Sequence, residues 1–434
     1  MLVGEGKTKE LYTYGDDDRQ IIVRSKSDLT KNDNSDETRI LDGKAVAATT
    51  TTCRVFELLK AGGIPVAYDR QLSDTEFLAD WCNMIPLEVV MRRYAVGSYL
   101  KRYPSFQKEA GVTPYRFHRL VFEIFLKTTG GKLLGLDGLV LAQMPKDALT
   151  GRYVEDPFIE NPEDSIWKLC HPKIPGWEST ASLGVEITRA AVLPQGVSIE
   201  RIEEIARKTF LILENAWAQQ QGCRLIDFKI ELGVTRDGKL CVADVIDNDS
   251  WRLRTHDWRE ISKELFRQNA GMDEIKGAYE FVAKLVERFY VPRQAIVLWR
   301  GSDKDDAFDF PGIPGVTVLD VVASGHKSPM RSLCVLERVL AEYPEGGVIL
   351  AMVGMSNSLG PMLAARTSWP VIAVPLTVKS QPHDVWSSLA LPSNVPLTTV
   401  LSPGNAFLSA LNILAQKNPI ASMVRQCSIE SFDE

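Results

Sequence analysis

The stretch Asp227-Phe-Lys-Ile-Glu231, followed by Asp244-Val-Ile-Asp-Asn-Asp-Ser-Trp-Arg252, predicts an antiparallel hairpin with an acidic face. Apolar and charged residues alternate through the first of these segments, which is the pattern of a strand with one buried face. Between them, Asp237-Gly238 is a strong signal for a two-residue turn. With that turn at the tip of the hairpin, we expect Glu231 to lie directly opposite Asp244.

Two opposed carboxylates indicate a site for a divalent cation. Directly paired side chains have Cβ atoms about 4.5–5.5 Å apart, so two negative charges there repel each other. A magnesium ion removes that repulsion, and it commonly takes one or two carboxylates together with substrate phosphates. The pattern also fits a solvated acidic face, or a longer loop that changes the register. Metal binding by Glu231 and Asp244 is therefore a hypothesis at this point.

Composition and charge are those of a soluble globular enzyme. The chain has 434 residues, of which 45% are hydrophobic and 24% charged, and this length allows two or three domains. The net charge of −6 argues against a nucleic-acid partner. Seven cysteines without a Cys-x-x-Cys pair indicate neither a disulfide framework nor a zinc site. The start of the chain lacks the apolar core of a signal peptide, and the longest apolar runs are too short to span a bilayer, so we expect a cytoplasmic protein without membrane contact.

The chain divides into two predicted domains, residues 1–290 and 294–434. In the first, amphipathic patterns predict helices near 43–61, 198–219 and 273–289. Residues 127–195 are rich in glycine and proline and lack helical periodicity, so we interpret them as a long loop or insertion.

Apolar strand candidates followed by small residues recur in the second predicted domain. Near-continuous apolar strands that alternate with helical segments predict a buried parallel sheet, and ligands of such sheets bind at the carboxyl ends of the strands. A binding site is therefore expected where the small-residue loops collect. The strand candidates are residues 296–299, 316–322, 348–353, 371–375 and 397–401.

Two cationic segments in the first domain suit phosphate. Glu5-Gly6-Lys7-Thr8-Lys9 is a glycine turn with two lysines at alternate positions, which could reach a polyphosphate or form a solvated charge cluster. Residues 92–102 place four cations around a Gly-Ser turn. Guanidinium groups pair with phosphate in a bidentate manner, but an ion-pair face is an equal alternative.

Taken in order, these motifs resemble two known families. Residues 5–12, 82–88, 92–102, 227–233 and 244–252 look like phosphoribosylaminoimidazole-succinocarboxamide synthase. The second domain resembles phosphoribosylaminoimidazole carboxylase through segments 301–302, 324–327, 353–361, 367–375 and 384–392. The order and the fusion match the bifunctional purine enzymes of animals, and the resemblance covers nearly the whole chain.

For the first domain, the resemblance implies an α+β, ATP-grasp-like ligase. The carboxylate of carboxyaminoimidazole ribotide would be activated by ATP as an acyl phosphate, and the amine of L-aspartate would attack it. Such chemistry depends on positioning and charge neutralisation. By analogy, the site residues are Lys7 and Lys9 on the ATP phosphates, Met84 along the adenine, Glu231 and Asp244 on magnesium, Arg92, Ser98 and Arg252 on the ribotide phosphate, and Asp33, Asp156 and Lys229 in substrate or nucleotide orientation.

For the second domain, the resemblance implies an α/β three-layer fold with a flavodoxin-like parallel sheet. His326 would carry the proton of the carbon that is carboxylated, because imidazole titrates near neutrality. Direct use of carbon dioxide is implied, since the Ser356-Asn357 loop is of the animal type and differs from the Ala-Ala-His-Leu-Pro loop of bacterial mutases. An octamer is also implied. The binding residues would be Ser302, Asp305, Ser324, Lys327, Ser356 and Asn357.

The carboxylase-like domain departs from its family at several positions. Lys304 replaces a hydroxyl residue in the first loop, Gly325 replaces alanine and Met355 replaces arginine. The segment 306–315 is short and holds two prolines and two glycines, so little or no helix is expected there. An alternative function is therefore an active ligase with a non-catalytic oligomerisation or ligand-sensing domain. A kinase-like phosphotransferase is a third reading, in which phosphate passes to a hydroxyl without any need for aspartate.

Overall fold

The computed structural model describes residues 1–15, 17–31, 34–109 and 111–433. Contacts between Cα atoms divide the chain into two compact units, Met1–Phe289 and Tyr290–Glu434. Asp33, predicted to orient a substrate or nucleotide, lies outside the described residues. Among the described residues, no helix is both long and apolar enough to cross a membrane.

Antiparallel strands build most of the first unit. One sheet has the order β1-β2-β3-β7-β6, and a larger one the order β16-β15-β14-β10-β9-β17-β18, with β19 and β8 also paired to β17. Separate small sheets are formed by β4-β5 and by β11-β12-β13. The strands are β1 (Leu2–Glu5), β2 (Lys9–Tyr14), β3 (Asp17–Ser25), β4 (Asp28–Lys31), β5 (Asn34–Ile40), β6 (Tyr68–Gln71), β7 (Glu76–Asp80), β8 (Cys82–Met84), β9 (Leu87–Tyr94), β10 (Arg116–Leu126), β11 (Thr128–Thr129), β12 (Lys132–Leu134), β13 (Val140–Gln143), β14 (Phe158–Ile159), β15 (Ile166–Cys170), β16 (Ser182–Thr188), β17 (Arg224–Thr235), β18 (Leu240–Ala243) and β19 (Trp251–Arg254).

The three predicted helices of the first unit are confirmed. The longest begins after Ser198, whose hydroxyl oxygen accepts a hydrogen bond from the backbone N–H of Arg201 at 3.2 Å, which is a normal N-cap. Its apolar stripe, including Ile202 and Phe210, is fully buried. The helices are α1 (Lys44–Ala61), α2 (Ser98–Arg102), α3 (Ile199–Gln219), α4 (Glu264–Arg267) and α5 (Met272–Val286), with 3-10 turns at Pro104–Phe106 and Arg189–Ala191.

Of the two interpretations of 127–195, a long loop or an insertion, the irregular loop is wrong. This segment contains β11 to β16, and β14, β15 and β16 extend the large sheet beyond β10. In β15, Trp167 and Leu169 are buried whereas Ile166 and Lys168 are exposed, so a period-two pattern is present. The strands are short and separated by glycine and proline turns, which hid that pattern in the sequence.

The central hairpin forms, but its predicted register is wrong by one residue. Glu231 pairs with Ala243, not Asp244, and Ile230 pairs with Val89 of β9. The turn holds three residues, since the backbone N–H of Thr235 donates to the carbonyl of Lys239 at 3.0 Å. Gly238 takes a left-handed φ of 80° there, as expected for a three-residue hairpin loop.

The second unit is a parallel α/β domain, as predicted. Its five strands pair in parallel in the order β21-β20-β22-β23-β24, which is the flavodoxin-type order. The strands and helices are β20 (Gln294–Arg300), β21 (Val316–Val322), α6 (Pro329–Glu342), β22 (Gly347–Val353), α7 (Leu359–Ala364), β23 (Val371–Pro375), α8 (Trp386–Leu389), β24 (Thr398–Thr399), α9 (Pro403–Leu414) and α10 (Pro419–Glu430), with 3-10 turns at Pro382–Val385 and Ser431–Asp433.

Two details of the second unit bear on the sequence predictions. Residues 301–315, all of which the structure describes, connect two parallel strands without a helix, as expected from their prolines and glycines. The last strand is shorter than the predicted 397–401, because only Thr398 and Thr399 pair with β23. The core is formed by fully buried residues such as Val297, Trp299 and Ala351.

Candidate active sites

Glu231 and Asp244 converge on Lys9 despite the register error. Asp244 follows the last residue of β18 and adopts a left-handed φ of 63°, so it leaves the strand geometry. The ammonium group of Lys9 contacts Asp244 Oδ1. Lys9 also acts electrostatically on Glu231, and Lys127 Nζ lies 2.6 Å from both oxygens of Glu231. The structure therefore brings the two predicted carboxylates into one charged cluster.

The cluster shifts the pKa values of its members. Burial favours the neutral form of Glu231, but Lys127 and then Lys9 hold the pKa of this carboxyl below its usual range. The pKa of Lys9 is lowered to about 8, chiefly because the ammonium group is buried, while Glu231 opposes this decrease and Lys127 adds to it. Glu231 is thus ionised at neutral pH, and it lies beside the ammonium groups of Lys127 and Lys9.

Lys229 and Asp156 lie in the same neighbourhood. Burial alone would lower the pKa of Lys229, but the carboxylate of Glu88, with Nζ to Oε1 2.5 Å, raises it together with Glu231 and Asp156. Asp156 adopts a φ of 49°, and its Oδ1 accepts a hydrogen bond from the backbone N–H of Thr128 at 3.1 Å. Two of the three predicted orienting residues, Lys229 and Asp156, therefore interact electrostatically with each other, and Lys229 also interacts with Glu231.

Lys127 and Glu88 are site residues that sequence reasoning missed. Lys127 stands directly after β10, and Glu88 near the start of β9 was part of a recognised motif without a role. Glu231 lies on β17, which pairs with β9 but not with β10. The only sequence signal was a charged residue at the end of an apolar strand, which is too common to single out Lys127.

The three residues predicted to hold the ribotide phosphate lie around Asp227. Arg252 donates to Asp227 Oδ2 at 2.6 Å, and Arg92 contacts the same oxygen. Arg92 also donates to Ser98 Oγ at 3.3 Å and to Glu123 Oε2 at 2.5 Å. Arg92 is buried, whereas the side chain of Arg252 keeps 20% of its surface exposed. Arg252 is thus the more accessible of the two guanidinium groups.

The segment that carries Asp244 and Arg252 is anchored by Asp249. Its Oδ2 accepts hydrogen bonds from Lys44 at 3.2 Å and from Lys263 at 3.1 Å, and its Oδ1 from Tyr279. Burial would raise the pKa of Asp249, but the two lysines hold it below its ordinary value. Because Lys44 lies in α1 and Tyr279 in α5, this anchor ties the site segment to two helices.

Met84, predicted to lie along the adenine, is 40% exposed and sits on β8 beside Gly233 of β17. A Cβ atom added at Gly233 would lie 2.7 Å from Cys82 Cβ, 3.2 Å from Met84 Sδ and 3.3 Å from the carbonyl oxygen of Asn83. Glycine is therefore required for the close approach of β8. Lys7, predicted on the ATP phosphates, is exposed in the turn before β2.

Replacing Gly233 by alanine is expected to displace β8 and to raise the KM for ATP about tenfold, because the added methyl group overlaps Cys82 and crowds Met84. Steady-state ligation at varied ATP measures this effect. Gly277→Ala is the control, since a Cβ atom there meets nothing within 4 Å. An unchanged KM for ATP in Gly233→Ala would contradict the predicted placement of nucleotide along β8.

The carboxylate pair fits a magnesium ion that arrives with nucleotide. Among the described residues, no group of three or more His, Cys, Asp or Glu side chains could hold a metal. Asp244 Oδ1 is buried and, apart from its ion-pair contact with Lys9, accepts no hydrogen bond from the residues that the structure describes. Magnesium commonly needs only one or two carboxylates when phosphates and water complete its shell. The donor set is therefore suitable for magnesium with ATP and unsuitable for an all-protein metal site.

In the second unit, the predicted residues collect at the carboxyl ends of the parallel strands. His326 Nε2 lies 2.7 Å from the carbonyl oxygen of Ser356, which joins the loop after β21 to the loop after β22. Ser324 Oγ accepts a hydrogen bond from the backbone N–H of Lys327 at 3.1 Å. Asn357 is buried and its Oδ1 accepts from the backbone N–H of Gly360 at 2.8 Å.

The altered first loop forms a closed turn beside this site. Ser302 Oγ accepts from the backbone N–H of Lys304 at 3.2 Å, and the carbonyl of Ser302 accepts from Asp305 at 3.1 Å. Asp305 lies next to both Gly301 and Gly354, since Cβ atoms added at these glycines would lie 3.5 and 3.6 Å from its carboxylate oxygens. Met355 is 68% exposed. The loop thus still brings Ser302 and Asp305 to the strand ends.

Gly325 is explained by packing. A Cβ atom at this position would lie 2.8 Å from Leu359 Cα and 2.9 Å from Leu359 N. The loop that carries His326 therefore approaches the start of α7 more closely than alanine would permit.

Family models and full-length relatives match the chain. A model described as SAICAR synthetase matches residues 2–132 and 185–284, and one described as AIR carboxylase matches residues 312–430. A probable multifunctional protein ADE2 of Caenorhabditis elegans is 32% identical over 440 residues, covering 96% of this chain and 91% of that protein. The human bifunctional phosphoribosylaminoimidazole carboxylase/phosphoribosylaminoimidazole succinocarboxamide synthetase is 31% identical over 450 residues, covering 98% and 92%. A solved SAICAR synthetase (Type-2) in complex with ADP is 25% identical with a TM-score of 0.47, covering 65% of this chain and 96% of that one.

A SAICAR synthetase unit followed by a parallel-sheet AIR carboxylase unit defines a two-domain enzyme of purine biosynthesis. The matches extend over nearly the whole chain and nearly the whole of the animal relatives. The chain belongs to the bifunctional phosphoribosylaminoimidazole carboxylase/phosphoribosylaminoimidazole succinocarboxamide synthetase family.

Proposed function

We propose that the first unit, in an ATP-grasp-like fold, joins L-aspartate to carboxyaminoimidazole ribotide through an acyl phosphate. The observation that carries this proposal is the convergence of Glu231, Asp244 and three lysines on one site. Transfer of a phosphoryl group needs such a mixture, in which ammonium groups neutralise phosphate and carboxylates hold the metal that accompanies nucleotide. We assign Glu231 and Asp244 to magnesium, which when bound neutralises charge on the phosphates.

The residues of the first unit then have separate tasks. Lys7 and Lys9 bind the ATP phosphates, and Lys127 adds a third cation beside Glu231. Arg252 and Ser98 hold the ribotide phosphate. The buried Arg92 fixes Arg252 through their shared partner Asp227, and it fixes Ser98 by a direct hydrogen bond. Lys229, with its charge maintained by Glu88, and Asp156 orient the reacting carboxylate and the incoming amine. The attack of the amine forms the amide and releases phosphate, so no side-chain nucleophile is required.

The second unit is proposed to add carbon dioxide directly to aminoimidazole ribotide. A carbonyl oxygen can only accept a hydrogen bond, so the contact with Ser356 requires a hydrogen on His326 Nε2. In the neutral ring that acts as the base, the lone pair is then on Nδ1. Carbon dioxide forms the new bond to the ring carbon, and Nδ1 of His326 takes the proton that this carbon loses. Ser302, Asp305, Ser324 and Lys327, with Ser356 and Asn357, hold ribose and phosphate.

We further propose that the chain acts in the cytoplasm as a homo-octamer built around the second unit, with domains at 1–290 and 294–434. Exposed apolar side chains on the second unit, including Trp386 and Leu389, support association. Light scattering is expected to give eight times the mass of one chain. A monomer at micromolar concentration would contradict the octamer.

A coupled assay tests both activities. Purified protein with aminoimidazole ribotide, bicarbonate, ATP, magnesium and aspartate is expected to form the succinocarboxamide product, and ADP release is expected to require aspartate. Ligation from carboxyaminoimidazole ribotide without any carboxylation would favour the alternative in which the second unit is non-catalytic. ADP release without aspartate would favour phosphate transfer to a hydroxyl.

A further inference from the structure

The loop at Ser356-Asn357 is held by one short segment, residues 384–388. The backbone N–H of Ser356 donates to Asp384 Oδ1 at 2.7 Å, and that of Asn357 donates to Ser387 Oγ at 2.9 Å. Asn357 Nδ2 also donates to Ser388 Oγ at 3.0 Å. Successive polar groups of the loop are thus bound by one turn of the chain about thirty residues later.

Ser356 needs this support because its backbone is in a rare conformation. Its φ is 62°, in the left-handed region that favours glycine. A non-glycine residue keeps such a conformation where its surroundings determine it. The bond from its N–H to Asp384 is one such determinant, and the carboxylate of Asp384 is itself held by the hydroxyl of Thr377, which donates to Oδ2 at 2.8 Å.

The same serine orients His326. Its carbonyl oxygen lies 2.7 Å from His326 Nε2, so the hydrogen bond fixes the ring orientation and, in a neutral ring, favours the tautomer with hydrogen on Nε2. Ser356 therefore connects Asp384 to the imidazole. Its N–H donates a hydrogen bond to the Asp384 carboxylate, and its carbonyl oxygen contacts the imidazole of His326. Displacement of this backbone would move the carbonyl and release the ring.

We propose that Asp384 is a positioning residue for carboxylation, which acts through Ser356 on His326. This inference rests on the proposed role of His326 in proton transfer. Asp384 acts by hydrogen bonding and does not touch the reacting atoms. Asparagine at this position can replace it, because an amide oxygen can accept from Ser356 and an amide nitrogen can donate to the hydroxyl of Thr377.

The test compares Asp384→Ala with Asp384→Asn in the full chain. For Asp384→Ala we expect kcat and kcat/KM of carboxylation to fall together by about 10- to 100-fold, as for a small displacement of a catalytic group. Asp384→Asn is expected to restore most of the rate. Ligation in the first unit serves as the internal control, and Asp309→Ala removes an exposed carboxylate of the same unit as the matched control.

A spectroscopic readout separates positioning from general loss of structure. The ¹⁵N shifts of His326, assigned by difference with His326→Asn, are expected to show the Nε2–H tautomer in the parent protein and a tautomer mixture in Asp384→Ala. Thr377→Val removes only the hydroxyl that donates to Asp384 Oδ2, and we expect a smaller loss of carboxylation with ligation unchanged. If Asp384→Ala does not fold, Thr377→Val still tests whether the hydrogen bonds of Asp384 affect carboxylation.

The results distinguish failure of the proposed role of His326 from failure of the positioning role of Asp384. Full carboxylation by His326→Asn would overturn the role of His326 itself. Loss of carboxylation in His326→Asn combined with normal carboxylation and an unchanged tautomer in Asp384→Ala would overturn only the positioning role. Equal losses in Asp384→Ala and Asp384→Asn would also overturn it, because hydrogen bonding would then not be the cause.

Discussion

Replacing His326 by asparagine is expected to abolish carboxylation, with a loss of at least about 10³-fold, while ligation of aspartate continues at the rate of the parent protein. Asparagine can still donate to the carbonyl of Ser356, but its amide cannot take a proton near neutral pH. The loss therefore isolates proton transfer from loop structure. Conversion of aminoimidazole ribotide, measured separately from conversion of carboxyaminoimidazole ribotide, gives both rates from one preparation.

A matched histidine makes this result specific. His383 is an exposed histidine of the same unit, and His383→Asn is expected to retain both activities. Carboxylation that survives in His326→Asn would mean that His326 is a structural residue at a strand end, and the proton carrier would have to be sought elsewhere in the second unit.

Replacing Glu231 by glutamine is expected to reduce ligation by at least about 100-fold, in line with the loss of one charged group that acts on a developing phosphoryl transition state. The variant removes a negative charge that faces Lys127 at 2.6 Å and keeps the shape of the side chain. Magnesium affinity should fall because one of the two proposed carboxylate ligands is lost. Ligation rates over a magnesium titration measure both effects, and the concentration of magnesium at half-maximal rate should increase.

Carboxylation and a surface variant provide the controls for this prediction. Carboxylation by Glu231→Gln is expected to be unchanged, because the second unit carries that site. Glu186→Gln, which removes an exposed carboxylate on β16, is expected to leave ligation unchanged. A Glu231→Gln protein that ligates normally at limiting magnesium would show that the acidic hairpin is a structural feature.

The helices and parallel strands could be predicted because the spacing of apolar residues along the chain determines which local structure can bury them. An apolar residue at every third or fourth position can bury one face only as a helix, which applies to 198–219 and 273–289. An unbroken apolar run of six or seven residues between glycines, as in β22, fits a strand covered on both faces. The same reasoning failed to predict the strands in 127–195, because strands of two to seven residues are too short to display their period.

The register of the central hairpin shows how a correct motif can still give a wrong pairing. Asp237-Gly238 does form part of the turn, but Arg236 joins it as a third loop residue, and the partner of Glu231 shifts by one. Side chains alternate between faces, so a one-residue shift should have separated the two carboxylates. Asp244, in a left-handed conformation just beyond β18, nevertheless contacts Lys9, which also acts on Glu231, and nothing in the local sequence predicts that conformation.

The amino-acid sequence by itself determined the two-domain organisation, the order of strands and helices in the second unit, and which chemical groups were available for phosphate, magnesium and proton transfer. Only the tertiary structure decided which groups meet. Lys127 pairs with Glu231 across 104 residues, and Asp384 holds Ser356 across 28. The physical reason is that period and turn chemistry act over a few residues, whereas a contact between distant segments depends on the packing of whole strands and loops.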